Sequence, residues 1–174
     1  MVIQKVNTQP FLLKSIHNNM CLYTKQICPI KARKDIVCYK VVKRRKHATG
    51  EKKYRTPCMK KSIKLPATIS ADPPTTNWDK MWDKVRVTTL YLGNGEYKAF
   101  NEINGGWIHA CNTLDDAKLW LKKNYHLFNH NKKQPFHWAI IKCVVHKGVL
   151  YYRSYDKHTL CAKELFTRKV VLQG

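Results

Sequence analysis

Runs of β-branched and aromatic residues separated by short polar segments make up most of this chain, and one run instead carries its apolar residues at helical spacing. IVCYKVV (Ile36 to Val42) has the composition of a half-buried strand. KHATGEK then supplies a glycine-containing turn. YRTPC resumes in extended form, with Pro57 holding Thr56 out of helical space and marking an edge or an end. These pieces predict a β-ribbon with its tip at Lys43 to Lys53. The polar stretch KKSIKLPATISADPPTTN follows, and its three prolines among Ser and Thr read as a loop or linker.

VRVTTLYLGNGEYKAF predicts a hairpin, because Asn94-Gly95 is the dipeptide that a tight type I′ turn prefers. GGWIHACN (Gly105 to Asn112) is a short strand entered through glycines. TLDDAKLWLKKNYHLF is the helical run, over about 113–128. Thr113 can cap it with Asp116 at the capping-box position, and Asp115 and Asp116 suit its positive end as Lys122 and Lys123 suit its negative end. Its apolar stripe is Leu114, Ala117, Leu121, Tyr125 and Phe128. HWAIIKCVVHKG (His137 to Gly148) is continuous enough in β-formers for a central, two-sided strand. LYYRSY is extended, and FTRKVVL is a last strand. Several strands, one helix and further strands predict an α+β domain with a mostly antiparallel sheet, one main helix and a basic β-ribbon. The expected division is an extension at residues 1–19 and a single domain over residues 20–174, a length that buries a core without staples.

Charge changes this picture most. Lys and Arg number 33 against 11 Asp and Glu, a formal net charge of +22. Such an excess repels itself in the compact state and attracts polyanions, of which nucleic acid is the commonest. The excess is uneven: between Lys25 and Lys64 stand fifteen Lys or Arg against only Asp35 and Glu51. Lys43, Arg44, Arg45, Lys46, Lys52, Lys53 and Arg55 share the ribbon, and Lys60, Lys61 and Lys64 follow it. These ten are the candidate nucleic-acid-binding residues. A phosphate-tracking ribbon gives salt-sensitive, sequence-tolerant binding to DNA or RNA, and Tyr39, Tyr54, Trp78 and Trp82 are flat side chains near enough in sequence to stack on bases.

Other chemistry has less support. The seven cysteines (Cys21, Cys28, Cys38, Cys58, Cys111, Cys143 and Cys161) form no CxxC pair, and an odd number without a secretory signal predicts reduced thiols in a cytosol. No segment approaches the roughly 18 apolar residues of a membrane helix. His109 and Cys111, with Cys143 and His146, make a mixed metal site conceivable, but residues three apart on a strand point to opposite faces, so no metal and no cofactor are expected. No catalytic signature surrounds any Cys or His, GNG is a hairpin turn, and Asp115 and Asp116 serve the helix start. No catalytic residue is assigned.

The ordered segments MCLYTKQ, DIVCYKVV, YRTP, GGWIHACNTLDDAKLW, AIIKCVVHKGVLYY and a final RKVVL resemble a group of small proteins of Bacteroidetes and their phages. The resemblance runs from Met20 onward, implies a gut-bacterial or phage origin, and brings no activity with it. The extension before Met20 and the charge of KRRKHATGEKK depart from that group. In layout, an early YK strand, a helix after GGWIHACN and late strands ending near Glu164 are similar to the ADP-ribosyltransferase-like fold. That likeness points to Tyr39, His109 and Glu164, although the characteristic catalytic triplet is missing.

The expectation is a non-enzymatic basic accessory protein of phage or mobile-element origin that binds nucleic acid, in the cytoplasm of a bacterial host or inside a phage particle. A virion structural or protein-binding component, docking on an acidic protein or capsid surface, is the first alternative. A small enzyme of ADP-ribosyltransferase-like layout is the second.

Overall fold

The computed structural model describes residues 22–46, 52–56, 62–71, 86–91, 95–103, 106–125 and 137–174. Its organising element is β10 (His137–Val145), paired antiparallel along its length with β3 (Ile36–Lys46) on one side and with β13 (Glu164–Gln173) on the other. HWAIIKCVV is apolar at odd and even positions alike, as a strand covered on both faces must be. Ala139, Ile141, Cys143 and Val145 enter the larger core, while Ile140 enters a second core under the helix. The central, two-sided strand expected for this segment is therefore present.

Around this trio lies a ten-stranded sheet in the order β2 (Ile30–Lys31), β11 (Leu150–Arg153), β12 (Thr159–Ala162), β9 (Ile108–Cys111), β3, β10, β13 and β6 (Ala67–Ser70). β4 (Lys52–Arg55) shares the β9 side of β3, pairing Lys43↔Arg55 to Lys46↔Lys52, and β5 (Ser62–Ile63) pairs β4. Lys64–Pro66 join β5 to β6, so the order β3, β10, β13, β6, β5, β4 returns to β3. Val42, Tyr54, Ile63, Ile69, Ile141 and Leu165 all meet in the core that this ring encloses. At its corner the fully buried Thr167 Oγ1 accepts from Ala67 N at 3.0 Å and lies 3.1 and 2.8 Å from the carbonyl oxygens of Lys64 and Ala67.

The outer face of the sheet is covered in two places. The helix, α1 (Leu114–Asn124), packs Ala117 and Leu121 with Leu114 and Trp120 over Val41, Cys111 and Ile140. Its capping box forms as the sequence predicts: Thr113 Oγ1 accepts from Asp116 N at 3.0 Å, and Asp116 Oδ2 accepts from Thr113 N at 3.2 Å. A separate three-stranded sheet, β1 (Leu22–Thr24), β8 (Tyr97–Ile103) and β7 (Arg86–Tyr91), puts Leu22 and Ile103 against Tyr152 and Cys161. The protein is thus α+β, mostly antiparallel, with one helix among the described residues. That helix is not long and apolar enough to cross a membrane.

Several expectations are corrected. β3 continues through Lys46 and β4 begins at Lys52, so residues assigned to a turn tip are paired strand. The stretch read as a linker contains β5 and β6, because Ile63 and Ile69 are core residues and a four-residue strand is long enough to bury one of them. The hairpin expected over VRVTTLYLGNGEYKAF is present, β7 pairing β8 from Arg86↔Glu102 to Tyr91↔Tyr97, and its turn at 92–94 lies outside the described residues. β1, β2 and β12 were not expected. On the helix Tyr125 is exposed, while Trp120 packs inward. The extension at 1–19, the turn at 47–51, Asn94 and Phe128 lie outside the described residues.

Two substitutions test this packing. Leu121→Ala should cost about 2–5 kcal/mol in denaturant unfolding, the usual cavity penalty, and a loss under about half a kcal/mol would mean that α1 is not seated on the sheet. Thr167→Val keeps the shape but strips Ala67 N of its acceptor, so a loss of about 1–3 kcal/mol is expected.

Candidate nucleic-acid interface

Alternation along β3 and β4 sorts the basic residues by face. Val42 and Tyr54 enter the enclosed core, so Lys43, Lys53 and Arg55 lie on the outer face that carries α1. Lys43 stands directly between Arg55 on β4 and Trp138 on β10. Lys53 is exposed, and Lys43 and Arg55 are half-buried. Arg44 belongs to the opposite face and is already engaged: its Nη1 donates to Gln173 Oε1 at 2.8 Å and its Nη2 to Gly174 O at 3.4 Å. Arg45, Lys46 and Lys52 are placed here by backbone pairing alone. Lys64 is exposed between β5 and β6, where its carbonyl faces Thr167 Oγ1. Lys60 and Lys61 lie outside the described residues.

Of the flat side chains expected to stack on bases, Tyr54 is 8% exposed and committed to the core. Tyr39 packs beneath α1. Trp78 and Trp82 lie outside the described residues. Trp138, beside Lys43 and partly buried, is the aromatic that the register brings to this face; nothing in its local sequence marks it, because its neighbour is set by a pairing across 95 positions.

Several acidic groups of the described residues are engaged elsewhere. Asp35 accepts from Lys147 N at 2.9 Å and lies 3.2 Å from His146 Nδ1, contacts that hold its carboxyl below the usual range. Asp115 pairs with Lys118, and Glu96 with Lys98. Asp116 Oδ1 lies 2.6 Å from His158 Nδ1, which ties the turn after β11 to the start of α1. None of these acids pairs with Lys53 or Arg55.

Lys40 is the one basic residue that sequence reasoning placed on the ribbon strand without foreseeing its burial. It is 3% exposed on the enclosed face, and its Nζ donates to His109 O at 2.7 Å. β9 pairs with β3 only at Cys111↔Tyr39, and β4 begins its pairing at Lys43. The ammonium fills the gap between these two partners and meets a carbonyl on the diverging strand, as burial of a charge demands.

Of Tyr39, His109 and Glu164, the first two stand on the same face of neighbouring strands, since Tyr39 pairs with Cys111. Tyr39 is beneath α1, His109 lies two residues before Cys111 on β9, and Glu164 is exposed as the first residue of β13, opposite Ser70. Cys143 faces the core while His146 stands past the end of β10 against Asp35. Among the described residues no three or more His, Cys, Asp or Glu cluster in a way that could hold a metal ion. No protein-family model, curated protein or solved structure matches the chain.

Burial also decides the thiol chemistry. Desolvation pushes Cys111 and Cys143 up to about 12 and raises Cys38 and Cys161 as well, so none of the four is a thiolate near neutrality. A disulfide reagent such as dithiobis(nitrobenzoate) at pH 8 should modify the exposed Cys28 in the native protein and reach these four only after denaturant is added. Peptide mapping of the labelled sites checks this, and fast native labelling of Cys38 or Cys161 would contradict the packing.

Proposed function

We propose that this protein is a non-enzymatic nucleic-acid-binding protein and that the basic β-ribbon of β3 and β4 is its principal contact. The observation that carries the reading is the outer-face group of Lys43, Lys53 and Arg55, set on rigid paired strands in a chain of net charge +22. Lys53 and Arg55 make no ion pair among the described residues, so their charges are available to an anion. Phosphate is the anion such spaced cations suit, because each contact releases condensed counterions and none requires a particular base. Arg44 serves differently: held by Gln173 and Gly174, it fixes the ribbon to the end of β13. A phage or mobile-element origin is compatible with such an accessory role.

Changing Lys43, Lys53 and Arg55 together to Gln should weaken binding to unrelated DNA and RNA sequences alike. The log-log salt slope should become shallower by about 0.7 to 0.9 for each phosphate no longer neutralised, the lower figure for single strands. Lys31, Arg33 and Lys34, exposed around β2, provide a control that removes the same charge elsewhere. Equal weakening by both triple variants would replace the ribbon with diffuse attraction. Absence of binding to either nucleic acid at low salt would end the nucleic-acid reading and favour an acidic protein or capsid surface as the partner.

A further inference from the structure

Four of the described cysteines are buried, and the register of the central strands brings two of them face to face. Cys38 on β3 stands directly opposite Cys143 on β10, in a pairing that reaches across 105 positions of the chain. Both side chains enter the enclosed core, and both are 0% exposed. Desolvation raises the Cys38 thiol above its ordinary range, and the neighbouring Cys143 raises it further. Neither of the other two faces a cysteine: Cys111 is opposite Tyr39 and Thr159, and Cys161 is opposite His109 and Tyr152.

Directly opposed residues of antiparallel strands hold their Cα atoms about 4.5 or 5.5 Å apart, and both separations fall within the roughly 4.4–6.8 Å of a disulfide. Their Cβ atoms, about 4.5–5.5 Å apart, need to approach by about 1 Å to reach the separation that a disulfide takes. Closure therefore needs no change of register. Cys143 Sγ donates to the Ile141 carbonyl at 3.7 Å, a weak bond that ends when the thiol loses its hydrogen.

We infer that Cys38 and Cys143 are a cross-strand disulfide site, closed or left open as the chain folds and then sealed in the core. With a small disulfide such as oxidised glutathione as the oxidant, one protein thiol gives up its proton and attacks, and the first glutathione leaves as a thiolate that takes up that proton. The second protein thiol then attacks the protein sulfur of the mixed disulfide in the same way, forming the Cys38–Cys143 bond and releasing the second glutathione as a thiol. Two protein thiols are oxidised and one small disulfide is reduced. Native packing prevents this exchange, because the thiolate is the attacking species, burial keeps both groups protonated near neutrality, and neither sulfur is open to solvent. The same burial shields the closed bond from reductants. The pair thus takes its state from the redox poise present when β3 and β10 come together: a reducing compartment leaves two thiols, and an oxidising one ties the two strands.

The test unfolds the whole chain in guanidinium chloride with reductant, then refolds it by dilution into reduced glutathione alone or into a mixture with oxidised glutathione. Free thiols are alkylated, and unreduced digests are read by mass spectrometry. Refolding in the mixture is expected to give a linked peptide pair carrying Cys38 and Cys143, about 2 Da below the sum of the two free peptides. In reduced glutathione alone both should be alkylated. The linked protein should unfold at a higher guanidinium concentration than the reduced protein, because the bond closes a long loop in the unfolded chain, and Cys143→Ala should abolish that difference between the two refolding conditions. Native protein given the mixture without unfolding should link at least about tenfold more slowly, since opening of the strands limits the reaction. Alkylation of both cysteines throughout the folded fraction from the mixture, or linkage of Cys38 chiefly to another cysteine, would overturn the site. An equal or lower unfolding midpoint for the linked protein would refute the fit of the bond to the native pairing, and equally fast linkage in native protein would refute the sealing.

Discussion

The pairing of β10 with β3, unbroken from His137↔Arg44 to Val145↔Ile36, is the constraint on which the rest of the molecule depends. It fixes at one stroke which side chains enter the enclosed core and which meet α1. A slip of one residue would exchange the two sets along the whole strand pair, driving Lys142 inward and Ile141 outward. Both faces of β10 are apolar, so hydrophobicity alone would tolerate that slip for much of its length. What resists it are the polar positions: Lys142 on the outer face, and Arg44 aligned to reach Gln173 and Gly174.

The edge of β3 away from β10 is divided between two partners, and this division explains the least expected residue of the chain. β9 and β4 cannot both pair with the residues between Tyr39 and Lys43, so the two strands diverge there. Lys40 places its ammonium in the gap. A buried lysine is expensive unless its charge is satisfied, and the strand divergence provides the His109 carbonyl at 2.7 Å. The same divergence lets β4 continue the ring through β5 and β6 to β13, with Thr167 anchoring the corner.

On the outer face, apolar burial and cationic exposure are interleaved row by row. α1 occupies the part over β3 and β9, the small sheet covers β11 and β12, and basic side chains stand around what α1 leaves open. The acids that could neutralise those side chains instead cap the helix, hold the turn after β11 or anchor the end of β10 at Asp35. In the nucleic-acid-binding role proposed above, the basic side chains without acidic partners are those that would meet a polyanion.

By itself the sequence determined the elements whose information is local. The helix start was legible in Thr113 and Asp116, since a capping box closes within four residues, and the two-sided character of β10 was legible in an apolar run without alternation. The mostly antiparallel α+β class and the clustering of charge on the β3–β4 segment followed from the same local patterns. Short strands were not legible: β5, β6 and β12 are two to four residues long, and their stability comes from partners distant in the chain. Tertiary structure alone decided that Tyr54 is core, that Lys40 is buried, that Arg44 is tethered, and that Trp138 stands beside Lys43. It also decided that a bulge at Arg168 brings Lys169 opposite Lys142, because strand register and bulges are set by the simultaneous packing of both sheet faces, which no single segment encodes.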